Sequence, residues 1–208
     1  MLTYESQLWE QGYRFVAGID EVGRGCLAGE VVAAAVIFPV GLKIEGVKDS
    51  KQLSPKKREE LYDVILSQCV AYGLGMVDEK TIDKINIRQA ARKAMKQAVY
   101  ALQFSPDYLL IDAETVDIAL PQMKIIKGDC LSHSIAAASI VAKVFRDRKC
   151  AEWDALYPGY GLKQNKGYCT REHCEALRNL GPSPIHRKSF LSNILPPQEE
   201  EQLTFHLG

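Results

Sequence analysis

Asp20 and Glu21 close one apolar segment, Asp112 closes another, and Asp129 falls between a short apolar run and a helix start. If those segments are neighbouring strands, the four carboxylates meet outside the carboxyl ends of the strands, where sites form in open α/β sheets. An acid at a strand end is ordinarily a solvated turn residue. Asp112 does not fit that description, because Leu109, Leu110, Ile111 and Ala113 flank it and a merely solubilising charge is out of place there. Gathered carboxylates repel by about 1 kcal/mol per pair at 4 Å in water, and by about 4 kcal/mol at an effective dielectric of 20. They stay together at neutral pH only with cations between them or with some members protonated. An all-oxygen donor set selects Mg2+ or Mn2+. Two such ions can activate a water and stabilise the leaving oxygen of an in-line phosphoryl displacement.

A glycine loop follows the first acids. Gly23-Arg-Gly25-Cys-Leu-Ala28 has the G-x-G-x-x-A form of a dinucleotide fingerprint, which on its own is a weak signal. Asp20 and Glu21 would repel a pyrophosphate, and the β-branched residues Val31, Val32, Val36 and Ile37 continue as strand rather than helix. A plain hairpin turn needing φ > 0 accounts for the glycines but leaves Arg24 unexplained. A third reading fits best: closely spaced glycines let backbone groups reach a small polar target beside the metals, with Arg24 on a phosphate.

The elements that must position these residues are legible in outline. Residues 13–20 and 31–38 read as strands joined so closely that they pair antiparallel, and residues 70–77 as a third. Ser54-Pro55 starts a helix to about Gln68. Residues 87–102 carry a single apolar stripe at helical spacing. Tyr108 to Asp112 is the apolar run of a central strand covered on both faces, and Lys124 to Lys127 a short fifth strand. A helix runs from about Leu131 to Leu156, and Thr170 caps another that Gly181-Pro182 closes. The expectation is an α/β fold: one domain with a core at about 13–157, a helical part at about 158–195 and a tail at 196–208.

Composition bounds the function. The chain has 208 residues, an apolar fraction of 47% and no formal net charge, but the charge is unevenly spread. Between Lys143 and Lys188 ten Lys/Arg stand against five Asp/Glu, so a polyanion can be held locally. Residues 1–11 are too polar for a secretory signal, and the longest apolar stretch, Val31 to Leu42, is broken by Pro39 and too short to span a bilayer. The protein is expected to be soluble, with no membrane partner. Its six cysteines read as reduced thiols in the cytoplasm. Cys169, His173 and Cys174 bring three ligands together without a fourth at zinc spacing, which disfavours a metal there.

Several motifs resemble the ribonuclease HII family: Gly18-Ile-Asp-Glu-Val-Gly-Arg-Gly25, Asp49-Ser-Lys-Gln-Leu-Ser54, Leu110-Ile-Asp-Ala113 and Lys127-Gly-Asp129. Ser134-Ile-Ala-Ala-Ala-Ser-Ile-Val-Ala-Lys143, Asn165-Lys-Gly-Tyr168 and Gly181-Pro-Ser-Pro-Ile-His-Arg187 continue the match in consistent order over residues 13–190. The resemblance implies a ribonuclease H-like mixed five-stranded sheet flanked by helices, with a helical C-terminal part. It implies a metal site of Asp20, Glu21, Asp112 and Asp129 for Mg2+ or Mn2+, two ions with substrate bound. Gly23, Arg24 and Gly25 are expected to read the ribose 2′-OH and adjacent phosphate, and Tyr168 to pack on the following deoxyribose. The implied reaction is hydrolysis 5′ of ribonucleotides in RNA/DNA hybrids and in duplex DNA, by a monomer working in replication and repair. Lys51, Lys163, Lys166, Arg171, Arg187 and Lys188 are candidates for phosphate contacts. Cys26 and Glu30 stand where the family often has proline, and Cys169 where a small residue is common. The competing class is a dinucleotide-dependent oxidoreductase using Gly23 to Ala28. A third reading, a binding module without catalysis, is disfavoured by the four acids.

After Pro196-Pro197 and three glutamates, Gln202-Leu-Thr-Phe-His-Leu207 resembles the short Gln-Leu-x-Leu-x-Leu peptides that dock on bacterial sliding clamps, with Phe205 replacing a leucine. The alternative is a tail folded back on the enzyme's own surface.

Overall fold

The computed structural model describes residues 1–195. Helix α1 (Thr3–Glu10) precedes strands β1 (Val16–Val22) and β2 (Val31–Ile37). Helix α2 (Pro55–Gln68), strand β3 (Ala71–Val77), helix α3 (Glu79–Ile85) and helix α4 (Ile87–Tyr100) follow. Strands β4 (Tyr108–Asp112) and β5 (Gln122–Ile125) lead to short α5 (Gly128–Leu131), long α6 (His133–Leu156), short α7 (Leu162–Asn165) and α8 (Arg171–Leu180). The five strands are ordered β3-β2-β1-β4-β5. β2 is antiparallel to both its neighbours, whereas β1, β4 and β5 run parallel. The expected hairpin and apolar central strand are both present.

Local chemistry sets the helix starts. Ser54 Oγ accepts from Lys57 N–H and Pro55 takes the first turn of α2. Asn86 caps α4 through Arg88 and Gln89 N–H, Ser132 caps α6, and Thr170 caps α8. Helices α1 and α3 are absent from the sequence expectation, and β5 begins two residues before the expected Lys124.

Alternation along the strands sends successive side chains to opposite faces. Ala17, Ile19, Ala33 and Ala35 pack with Ala90, Ala91, Ala94 and Met95 of α4. Ala34 and Val36 pack on the other face with Ala137, Ile140 and Val141 of α6 and Leu61 and Ile65 of α2. The helices approach closely because the strands carry glycine where they cross. A Cβ on Gly75 would lie 2.0 Å from Ala94 O, and one on Gly18 would lie 2.1 Å from the Ser134 carbonyl carbon. Helix α6 is thereby seated directly over β1, and its residues reach the carboxyl end of that strand.

Candidate active site

Asp20 lies on the α6 face of β1, one residue beyond the last Cα pair, Ile19↔Ile111, in the parallel register with β4. Continuing that register puts Asp20 and Asp112 side by side at the carboxyl ends of adjacent strands. Asp129 is supplied by α5, just after β5, and Gly128 N–H donates to Asp112 Oδ1 at 2.6 Å. Glu21 follows Asp20 and takes the Arg24 guanidinium on Oε1 at 3.1 Å. Its other oxygen, Oε2, is buried and has no hydrogen-bond partner within the described residues. Asp20, Glu21, Asp112 and Asp129 line one cleft with Ser50, Lys51, Ser139, Lys143 and Tyr168. The structure thus gathers all four acids named from the sequence.

Their electrostatics reflect crowding in a low dielectric. Burial first, then the charges of Glu21 and Asp112, holds Asp20 well above the ordinary carboxylate range. Burial also raises Glu21, against the opposing pull of Arg24, and raises Asp112, against the Gly128 N–H. Lys51 Nζ is 4.0 Å from Asp129 Oδ2 but its side chain is 83% exposed, so this pair contributes little fixed charge compensation. A second grouping shares Asp129: one ligand atom each from Asp49, Asp129 and Cys130 lie within 4.8 Å of one another.

Ser139, Ser50 and Lys143 were not singled out from the sequence. Ser139 stands one face-turn along α6 beside Asp20 and bonds Ser50 Oγ at 2.9 Å. Lys143 Nζ is paired with Asp147 at 2.7 Å. Two signals could have found them: all three fall within the motifs of residues 49–54 and 134–143, and Ser139 and Lys143 are four apart on one helix and therefore share a face.

The glycine loop, residues 23–30, opens into strand β2, so the helix that a dinucleotide fingerprint must start is not there. Gly23 has φ +93°, and a Cβ on it would lie 2.3 Å from Arg146 Nε. The loop is stitched to later segments: Leu27 N–H donates to Gly167 O, Gly29 N–H to Ile185 O, and Arg187 N–H to Leu27 O. Two buried guanidinium groups hold its carbonyls. Arg146 donates to Ala28 O, Glu30 O and Lys166 O, and Arg187 to Gly29 O and Arg24 O.

That arrangement corrects the reading of Arg187 as a phosphate contact. Its side chain is fully buried, 0% exposed, and its donors are engaged on backbone carbonyls. Burial, and then the Arg146 charge, lowers it to about 10. Lys166 faces a neighbouring cleft lined by Arg58, Asp147 and Arg148 rather than the acids.

Tyr168 is 41% exposed, its ring beside Gly25, and its residue bridges Cys26 in antiparallel fashion. Its carbonyl is held by a one-way chain whose tautomers follow from the donors. Ser183 N–H points at His186 Nδ1, which must accept, so His186 Nε2 carries the proton and donates to His173 Nε2 at 3.0 Å. His173 then carries its proton on Nδ1 and donates to Tyr168 O at 2.9 Å. Both rings are neutral in this chain. With both ring nitrogens of His173 engaged, Cys169 and Cys174 have no third ligand in that residue, in line with the disfavoured metal reading.

The fold and cleft place the molecule among ribonuclease H-like nucleases. The solved ribonuclease H2 of Pyrococcus horikoshii OT3 superposes with a TM-score of 0.71 at 28% identity, covering 84% of this chain and 92% of that one. An Archaeoglobus fulgidus RNase HII, solved in complex with PCNA, also gives a TM-score of 0.71, at 26% identity over 86% of this chain and 96% of its own. The ribonuclease HII family model matches residues 17–193. The ribonuclease HII of Alkaliphilus metalliredigens is 60% identical over 200 residues, 93% of this chain and 98% of that protein. The chain belongs to the ribonuclease HII family, and is accordingly a hydrolase, an endoribonuclease of the ribonuclease H type. No helix among the described residues is long and apolar enough to cross a membrane.

Proposed function

We propose that this enzyme hydrolyses the phosphodiester on the 5′ side of ribonucleotides, in RNA/DNA hybrids and at single ribonucleotides in duplex DNA, leaving a 3′-hydroxyl and a 5′-phosphate. The observation that supports the reading is that Tyr168 lines the acid cleft and its ring lies beside Gly25 of the glycine loop. The acids fit divalent cations. Glu21 Oε2 is buried without a partner among the described residues, the donor set is all oxygen, and burial with mutual repulsion raises the carboxyls of Asp20, Glu21 and Asp112. Asp20, Glu21, Asp112 and Asp129 would hold Mg2+ or Mn2+, and ions bound there supply charge neutralisation and water activation for in-line phosphoryl displacement.

The chain's own groups do the rest. Gly23 and Gly25 present backbone to the ribose 2′-OH, and Arg24 reaches an adjacent phosphate from its anchor on Glu21. Tyr168 offers an exposed ring to the next sugar, and Lys51, at the rim of the acid cleft, flanks the path of the backbone. Residues 13–157 act as the catalytic core, and 158–195 as the substrate-contacting part of the same domain. A monomeric cytoplasmic enzyme clearing ribonucleotides and primer RNA during replication and repair is the setting this chemistry fits. The proposed clamp-docking segment, Gln202 to Leu207, lies outside the described residues. Anisotropy of a labelled 199–208 peptide against the host clamp tests it, and no binding at high micromolar clamp removes it.

Incision of a duplex carrying one ribonucleotide, with and without Mg2+ or Mn2+, tests the main reading. The expected result is metal-dependent cleavage 5′ of the ribonucleotide and little or none when that sugar lacks the 2′-OH, because polar groups arranged for the hydroxyl are then left unpaired. Equal rates on the all-DNA duplex would overturn it.

A further inference from the structure

The Sγ atoms of Cys169 and Cys174 lie 3.3 Å apart at the surface, Cys169 exposed and Cys174 half-buried. Their closeness has a structural cause. Thr170 is the N-cap of α8, so Cys169 precedes the cap and Cys174 is the fourth helical residue. These are the two positions that pack together as a staple at a helix start, which fixes the angle at which the chain enters the helix. The helix start therefore presents two thiols in mutual contact.

We propose that Cys169 and Cys174 form a modification site, a dithiol that closes to a disulfide by exchange with a low-molecular-weight disulfide such as oxidised glutathione. Cys169, the more exposed, gives up its proton and attacks one sulfur of the external disulfide. A mixed disulfide forms and one small thiolate leaves. Cys174 then loses its proton and attacks the Cys169 sulfur, closing the protein bond and expelling the second thiolate. The two protons end on the two small thiols; the protein loses two electrons and the external disulfide gains them. Burial, followed by the neighbouring Cys169, raises the Cys174 thiol, which leaves the first attack to the more exposed Cys169, and contact between the two sulfurs then drives the intramolecular step.

Neighbouring chemistry favours a disulfide over a bound soft metal. His173 is spent on Tyr168 O and His186. No third His, Cys, Asp or Glu among the described residues groups with the two thiols at ligand spacing. The other exposed thiol, Cys130, has acids rather than a thiol beside it. It serves as an internal comparison, because a second thiol in contact acts at high effective concentration and Cys130 lacks that advantage. The bond would tie the residue after Tyr168 to α8, covalently fixing the turn that presents the Tyr168 ring.

The test uses the full chain, native, equilibrated over a range of oxidised to reduced glutathione, then alkylated and peptide-mapped. At a ratio where Cys130 is still more than half free thiol, more than half of the molecules should carry the Cys169–Cys174 crosslink. In Cys174→Ser the crosslink should vanish and glutathione should accumulate on Cys169. Two results would overturn the proposal: both thiols staying alkylatable at ratios that load Cys130 with glutathione, or Cys174→Ser leaving Cys169 unmodified.

Discussion

Asp112 accepts from Gly128 N–H through Oδ1 and is raised by burial, so its ionised form is held in place at a cost to the fold. An asparagine there keeps the accepting oxygen and loses only the charge. Asp112→Asn should abolish incision at saturating Mg2+ while its melting temperature stays level or rises; near-wild-type cleavage would remove Asp112 from the site. Tyr168 is the complementary case. Its ring is 41% exposed, so Tyr168→Ala should change the melting temperature little while weakening junction binding by about 1–3 kcal/mol, read by titration with uncleavable substrate. A large thermal loss with unchanged binding would make it a packing residue instead. At this scale the sequence was informative where a residue contradicts its surroundings. Asp112 stands out in an apolar strand, and Gly23 just after two acids at a strand end, where the structure places Arg146 against it. Arg187 misled for the same reason in reverse: an arginine next to a lysine after two prolines reads as surface, and only tertiary contacts with Gly29 O and Arg24 O reveal it as internal.

Among the elements, the glycine loop depends on others for its shape. Arg146 and Arg187 satisfy five different backbone carbonyls in and around it, and guanidinium is suited to this because its donors fan out in a fixed plane. A lysine ammonium cannot reach Arg24 O and Gly29 O together with the same geometry. Arg187→Lys should therefore cost about 2 kcal/mol for a buried acceptor left unpaired, or roughly 4–8 °C in melting temperature. It should raise KM for the junction substrate more than it lowers kcat; an unchanged KM would show that the loop does not need the clasp. The strongly patterned or well-capped elements were legible: α2 from Ser54-Pro55, α4 from its apolar stripe, α8 from Thr170 and Gly181. Helix α1 escaped because no side chain caps it and its buried Glu5 reads as surface, yet Glu5 Oε1 accepts from Ser132 Oγ and from both N–H and Oγ of Ser134. Helix α3 carried a readable signal, Asp78 capping Thr81 N–H, in a stretch too short to announce a period.

For the molecule as a whole, the neutral His186–His173 pair makes stability depend on acidity. Burial, and then the His173 charge, lowers His186 from its usual 6.5 to about 4, and burial lowers His173 as well. A depressed histidine favours the fold fully above the unfolded value near 6.5. That contribution is lost as pH falls towards 4, because the unfolded chain takes up the proton first. For His186 the loss amounts to about 3 kcal/mol. Raised carboxylates act with the opposite sign, strengthening the fold as they protonate, so the comparison must isolate the histidine. The melting temperature of the wild type should fall more steeply between pH 6.5 and 4 than that of His186→Asn. Parallel curves would mean that the pair does not titrate with unfolding.

The order in which the chain is made gives the buried clasp a further meaning. The acids at 20, 21, 112 and 129 and the glycine loop at 23–30 all leave the ribosome before Arg146, Gly167, Ile185 and Arg187, which hold that loop in shape. A nascent chain can own every acid of the cleft while its glycine loop still lacks support. The shape of that loop is thus complete only once residues 146–187 have followed it, and a chain released before them carries the acids beside a loop that nothing holds.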